Sequence, residues 1–173
     1  MAPIYVKTVY SFLSSTITIN DLIDLAKENN YEYLCICDEN MYGVMEFIRK
    51  CNSNNIKPIV GVDFNDILLF AKNYNGYKNL MHLSTIKSER ELELNDYKEY
   101  SKDLVLVYKE NNDIEKLFKD KFSYNDLNIK KTLCLEKEDL ETLKYLNMLR
   151  DNKTTKDDYE IDNDVIYEDN SNK

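Results

Sequence analysis

Histidine is almost absent from this sequence: His82 is the only one among 173 residues, and there is no tryptophan. A chemistry that needs two imidazoles, whether to ligate a metal or to relay protons, is therefore excluded. Cations are in deficit too. Twenty-three Lys and Arg against 32 Asp and Glu leave a net charge of -9, and phosphate binding draws its affinity from clustered cations, so a dedicated nucleic-acid surface is not expected. No apolar run approaches the roughly 20 residues needed to span a bilayer. Glycine (3) and proline (2) are scarce while Asn, Lys, Ile and Tyr abound, a bias that points to an AT-rich genome. The Met1 start leads into a strand rather than a charged and then apolar leader, so the four cysteines, Cys35, Cys37, Cys51 and Cys134, are expected as reduced thiols of a cytoplasmic protein.

What is present is one core's worth of apolar residues, 43% of the chain, arranged in alternating strands and helices. Residues 3 to 9 read as a buried strand. Leu22, Ile23, Leu25 and Ala26 have helical spacing, with Thr18 or Asn20 as the cap. Tyr33 to Cys37 reads as a central strand, and residues 41 to 54 as a helix with Val44, Met45, Phe47, Ile48 and Cys51 inward. Ile56 to Phe64 and Asp66 to Lys72 are strands, paired as a hairpin across Asn65. Asn75-Gly76 marks a turn before a helix near Tyr77 to Lys87. Leu94 to Tyr100 is a short helix, Leu104 to Tyr108 a strand, Asn112 to Lys119 a helix and Lys131 to Leu135 a short strand. Lys137 to Arg150 is a helix with Leu140, Leu143, Leu146, Met148 and Leu149 as its apolar set. This gives an α/β domain over residues 1–150. Residues 151–173 are rich in Asp, Asn, Lys and Glu and read as an acidic polar tail or linker, with Val165-Ile166-Tyr167 as a candidate strand fragment.

Isolated signals carry little chemistry. Cys35 and Cys37 share a strand face, but the second half of a zinc site is missing, so buried thiols are the reading. His82 has no acid or nucleophile beside it in sequence and reads as a surface or satisfied histidine. The tyrosines are not interleaved with Lys and Arg as a base-stacking platform would require. The Lys-rich stretch from Lys116 to Lys121 reads as a solvated helix face.

Taken together, several segments resemble a known family. They are Tyr5-Val6-Lys7-Thr8 through Ser15, the helix from Asn20 to Asn29, Asp38-Glu39-Asn40-Met41-Tyr42-Gly43, Ile56-Lys57-Pro58-Ile59-Val60-Gly61, Leu69-Phe70-Ala71-Lys72-Asn73 with Gly76-Tyr77-Lys78-Asn79-Leu80, and Glu138-Asp139-Leu140 through Thr154. In this order they are similar to the N-terminal PHP (polymerase and histidinol phosphatase) domain of the bacterial replicative DNA polymerase III alpha subunit. The resemblance implies a reduced or distorted (β/α) barrel with mostly parallel strands. Active members of the family hold up to three divalent metals on His and carboxylate ligands at strand ends, and cleave phosphate esters or proofread.

Carried over position by position, that ligand set is not intact. The first His pair falls on Tyr5 and Lys7. The Asp-His pair falls on Asp38 and Glu39, with one glycine missing before Asn40. The acidic ligand after Gly61 is kept as Asp63, the next His falls on Asp66, and a late one near Leu133. The surviving carboxylates Asp38, Glu39, Asp63 and Asp66 are oxygen donors of the kind that suit Mg²⁺ or Mn²⁺. The reading favoured over an ion is solvated charges or partners for Lys7, whose ammonium bridging to Asp38 or Asp63 would fill the former metal position. No catalytic, cofactor-binding or metal residue is assigned.

The resemblance further implies the structural, metal-free type of domain found in low-GC Gram-positive bacteria and their relatives. Its partners would be the polymerase core of the same or an adjacent chain and other replisome proteins. Mg²⁺ belongs to the parent polymerase, a DNA-directed nucleotidyltransferase whose carboxylate and nucleotide-binding motifs do not occur in these residues. The alternatives are a free-standing metal-dependent phosphoesterase of the PHP superfamily and an independent binding module acting through the acidic tail.

Overall fold

The computed structural model describes residues 1–169. In chain order its elements are β1 (Tyr5–Val6), α1 (Ile19–Glu28), β2 (Tyr33–Asp38), α2 (Val44–Ser53), β3 (Lys57–Asp63), β4 (Ile67–Ala71), α3 (Tyr74–Glu89) and α4 (Leu94–Tyr100). There follow β5 (Leu104–Tyr108), a 3₁₀ turn (Asp113–Leu117), β6 (Asp120–Ser123), α5 (Tyr124–Leu127), β7 (Lys131–Thr132), α6 (Asp139–Arg150) and a second 3₁₀ turn (Asn163–Val165). These form two compact units, one of residues 1–38, 42–58 and 130 onward, the other of residues 39–41 and 59–129.

In the first unit, β1 pairs in parallel with β7, Tyr5 opposite Lys131 and Val6 opposite Thr132. The strand expected over residues 3 to 9 is cut to this length because the chain turns after Lys7, the Ser11 N–H closing back on the Thr8 carbonyl at 2.9 Å. Helix α1 begins on a capping box. The Thr18 hydroxyl accepts the Asp21 N–H at 3.1 Å and the Asp21 carboxylate accepts the Thr18 N–H at 2.9 Å, so Thr18 is the cap and Asn20 lies in the first turn. Such a cap contributes about 1 kcal/mol. Burial of Ile19, Leu22, Ile23, Leu25 and Ala26 contributes more, at roughly 1.5–3 kcal/mol for each large aliphatic side chain.

Helix α2 buries Val44, Phe47 and Cys51, the i, i+3, i+7 stripe. Met45, expected inward, stands about a quarter turn off that stripe and is 68% exposed. Leu149 of α6 likewise faces out, and the buried positions of that helix are Leu143, Asn147 and Met148. The described residues from Ile161 to Tyr167 fold back on this unit. Ile161, Val165 and Ile166 pack on the cluster of Leu133, Cys134 and Leu143. The Leu133 N–H reaches the Val165 carbonyl and the Tyr167 N–H the Cys134 carbonyl, both at 2.9 Å, around a single parallel bridge from Cys134 to Ile166.

The second unit is a sheet in the order β3-β4-β5-β6 covered by helices. β4 runs antiparallel to β3 and β5, and β6 is parallel to β5. Asn65 and Asp66 join β3 to β4 with φ of 56° and 65°, the pair of left-handed residues that a two-residue hairpin of matching twist demands. The helix expected over Asn112 to Lys119 is only one 3₁₀ turn. After the buried Phe118 the chain becomes β6, so Asp120 and Lys121 lie opposite Val105 and Leu106 in a sheet and not on a helix face. Asn75-Gly76 is not a turn either: both residues are in the first turn of α3, capped by Asn73, whose side chain accepts the Gly76 N–H at 3.0 Å. Among the described residues, neither the β1–β7 pair nor the β3–β6 sheet closes on itself, and the architecture is mixed α/β.

The start of α4 supplies a pH-dependent contribution. Asp96 takes both guanidinium nitrogens of Arg90 at 2.7 Å and the Glu93 N–H at 2.8 Å, and Arg90, then that N–H, hold its carboxyl down at about 2 from the ordinary 3.8. A depressed carboxylate stabilises the fold above its unfolded pKa and ceases to do so as pH falls through the folded value. The melting-temperature advantage of the wild type over Asp96→Asn is thus expected to be full at neutral pH and to vanish on titration down to about 2. An advantage independent of pH would contradict it.

Candidate functional site

The positions singled out by the sequence fall in both units. Tyr5, Lys7 and Asp38 belong to the first, and Glu39, Asp63 and Asp66 to the second.

In the first unit, β1 and its continuation hold Tyr5 and Lys7 two residues apart, which puts both side chains on the same side of an extended chain. Both are buried, with exposures of 1% and 5%. The backbone around Lys7 is fixed on both sides: its N–H donates to the Thr132 carbonyl at 3.1 Å, and its carbonyl accepts the Ser15 hydroxyl at 2.6 Å. The Tyr5 ring carries the Lys131 ammonium at 5.1 Å from its centroid, a cation–π contact set by the register of β1 with β7.

Asp38 ends β2 and is 2% exposed. Both of its oxygens are engaged by the loop after β1. The Thr8 N–H and the Ser11 hydroxyl donate to Oδ1, and the Thr8 hydroxyl to Oδ2, each at 2.7 Å. Burial pushes the Asp38 carboxyl up from its ordinary value. The hydrogen bonds from Ser11 and Thr8, and then the charge of the Lys7 ammonium, pull the other way. Leu133, near which the resemblance puts a late ligand, is buried and apolar.

In the second unit, Asp63 is buried and its Oδ1 accepts the Asp66 N–H at 2.8 Å, bracing the hairpin turn. Asp66 sits in that turn, and its carbonyl accepts the Tyr124 hydroxyl at 3.2 Å. Glu39 is exposed.

The residues present in the first unit do not fit a resident metal. A phenol under an ammonium, a buried lysine, a leucine and one carboxylate that already accepts three hydrogen bonds from Thr8 and Ser11 do not make up a ligand set. Among the described residues, no three His, Cys, Asp or Glu side chains group so as to hold a metal. The cysteines lie elsewhere in function as well. All four are buried free thiols, and burial holds Cys35 and Cys51 at about 12 and Cys134 at about 11, well above the range of a reactive thiolate. His82 is exposed and stacks on Tyr100 with ring centroids 4.8 Å apart.

Thr8, Ser11 and Lys131 are the members that sequence reasoning passed over. The hydroxyls of Thr8 and Ser11 lie within the segment from Tyr5 to Ser15, but nothing local aims them at a residue 30 and 27 positions away. Lys131 had no sequence signal at all, since only the β1–β7 register brings it over Tyr5.

A family model described as the PHP domain matches residues 4–152. The DNA polymerase III subunit alpha of Ureaplasma parvum is 41% identical over 106 residues, covering 58% of this chain and 11% of that protein. A DNA polymerase III subunit alpha of Streptococcus pyogenes is 26% identical over 171 residues, covering 84% of this chain and 16% of its own, and that of Mycoplasma genitalium is 28% identical over 137 residues, covering 75% and 15%. The chain thus spans between 11% and 16% of the length of these relatives. A crystal structure of a presumed metal-dependent phosphoesterase from Bifidobacterium adolescentis aligns over 59% of this chain and 43% of that one at 14% identity, with a TM-score of 0.34.

Proposed function

The chain belongs to the PHP domain family, and from that premise we propose that it is the PHP region of a bacterial replicative DNA polymerase alpha subunit, acting in DNA replication as a structural domain. Its fold is read as a reduced (β/α) barrel, its setting as the cytoplasm, and its partners as the polymerase core of the same or an adjacent chain with other replisome proteins. Nucleotidyl transfer is the work of that core, which needs paired carboxylates on Mg²⁺ and cationic contacts to a nucleoside triphosphate. The net charge of -9 supports a domain that meets protein rather than nucleic acid.

One observation carries the structural reading over a phosphoesterase. At the positions of the first unit that the family resemblance marks as metal ligands stand Tyr5, Lys7 and, near the late one, Leu133, and the carboxylate that remains, Asp38, accepts three hydrogen bonds from Thr8 and Ser11. Without open ligands, no Lewis acid is held and no water is activated on a phosphate ester.

Metal content, melting temperature and hydrolysis form the test. A metal present at 100 times its dissociation constant stabilises the folded state by about 2.7 kcal/mol, or roughly 5–10 °C in melting temperature for a chain of this size. Protein purified without chelator is expected to contain no stoichiometric metal, to melt within about 1 °C with or without EDTA, and to leave a generic phosphate ester in Mn²⁺ intact. Stoichiometric Mn²⁺ with turnover that Asp38→Ala abolishes would establish the phosphoesterase instead.

A further inference from the structure

We propose that residues 161–167 are a reversible strap: they fill, from within the chain, a strand-docking groove at Leu133 and Cys134 that fits an extended apolar peptide, and they leave it as one unit. The strap is independent of whether the domain is structural or catalytic.

The seat is built without the strap. On one side of the chain at residues 132–133, the Thr132 carbonyl accepts the Lys7 N–H at 3.1 Å, and the Leu133 carbonyl accepts the Thr16 N–H at 3.0 Å and the Ser15 hydroxyl at 2.9 Å. The Leu133 N–H and the Cys134 carbonyl are left for another strand, and they meet the Val165 carbonyl and the Tyr167 N–H, each at 2.9 Å. This is strand addition within one chain, with main-chain bonds at the edge and apolar side chains filling the floor. Ile161, Val165 and Ile166 pack on Leu133, Cys134 and Leu143, and the Tyr167 hydroxyl bonds that of Tyr31.

The hold is light. None of residues 161–167 is fully buried, and they follow a segment, 151–160, that is exposed nearly throughout. A single bridge and few buried contacts put such a segment at the low end of local stability. Charge opposes the seat as well. Asp162, Asp164, Glu168 and Asp169 come with the strap, while Tyr167 lies in a hollow also lined by Asp21, Asp24, Glu28, Glu136 and Asp139. Against this shared sign stands the Lys130–Glu168 ion pair at 2.9 Å. Salt, which screens like charges, should therefore tighten the strap.

Cys134, fully buried under the strap, is the reporter. The full chain is alkylated with N-ethylmaleimide under native conditions, each cysteine is mapped by mass spectrometry, and its rate is set against that in urea. Cys134 is expected to react at least about tenfold faster than Cys35, Cys37 and Cys51, and to slow as NaCl is raised. Hydrogen exchange gives a second measurement. The Leu133 N–H, bonded to the strap, is expected to exchange at least about tenfold faster than the Lys7 N–H, bonded to Thr132 on the other side. Val165→Ser/Ile166→Ser should raise the Cys134 and Leu133 rates further and leave Lys7 unmoved, and a peptide of residues 161–169 added in trans should reverse the gain. Cys134 reacting no faster than the other three, or Leu133 exchanging with Lys7 in the wild type, would make the segment part of the core and overturn the strap. A peptide without effect on the variant would overturn the groove. Protection of Cys134 that falls on dilution of a dimer would give the seat to a second copy and overturn the internal occupant.

Discussion

Asp38→Ala is expected to be the most damaging single substitution in the first unit, with a loss of about 3–5 kcal/mol from the three donors it strands. A protein of this size is stable by only about 5–15 kcal/mol, so much of the total is at stake. The reason is the number of groups stranded at once. The Thr8 N–H and the Thr8 and Ser11 hydroxyls all lose the acceptor they share at Asp38. An orphaned buried donor alone costs about 1–3 kcal/mol. The hydroxyls can rotate toward other acceptors, but the Thr8 N–H is held by the backbone and cannot. Asp38→Asn should therefore cost less than Asp38→Ala, since its amide oxygen still serves that N–H. Urea denaturation checks both through the midpoint with an unchanged slope. A loss below about 1 kcal/mol for Asp38→Ala would show that the loop from Thr8 to Ser14 relaxes freely and that its bonds to Asp38 do not hold it in place.

Gly76→Ala is the second large effect, and its direction is against helix propensity. Glycine inside a helix is ordinarily about 1 kcal/mol worse than alanine, so the substitution would be stabilising on an open helix. Here an added Cβ would lie 2.1 Å from the Asp103 carbonyl oxygen and 3.3 Å from the Ala71 Cα. Neither neighbour yields easily. Asp103 has a left-handed φ of 59°, its carbonyl accepts the Lys72 N–H at 3.0 Å, and Asn79 binds the adjacent Lys102 carbonyl at 2.8 Å. Overpacking of this kind costs about 1–3 kcal/mol, and rigid backbone on the receiving side puts Gly76→Ala at the upper end. Gly43→Ala is the internal control. Its added Cβ would meet the Tyr10 ring at 2.4 Å, which is side chain on a partly exposed residue and can swing away once its hydrogen bond to Glu46 is given up. Thermal denaturation of the two variants should show Gly76→Ala as clearly the worse. Equal losses would show that the Asp103 turn moves as readily as the Tyr10 ring.

The Asn75-Gly76 pair shows where local signals mislead. Its composition is that of a turn, yet it starts a helix, because Asn73 supplies the cap and the missing side chain lets α3 press against the Asp103 carbonyl. The segment from Asn112 to Lys121 failed for a different reason. Ile114, Leu117 and Phe118 keep helical spacing for one turn only, and the next residues find hydrogen bonds along β5 that a helix would forgo. Where the apolar pattern was clear and bounded by polar residues, as in α1, α4 and β5, element and boundary were both legible. The Asn65 hairpin was legible too, since Asn and Asp are the side chains that best tolerate the left-handed pair.

The near-absence of histidine alone determined that a full set of imidazole ligands is impossible, and the order of segments determined membership of the PHP family. Apolar periodicity determined most helices and strands, because burial of one face is a local property of spacing. What surrounds the positions that the resemblance marks as ligand sites was decided only by tertiary structure. Thr8 and Ser11 meet Asp38 across 30 and 27 residues, and Lys131 covers Tyr5 through the register of two strands far apart in the chain. Such contacts depend on where the backbone returns after many turns, and no spacing within one segment encodes that return.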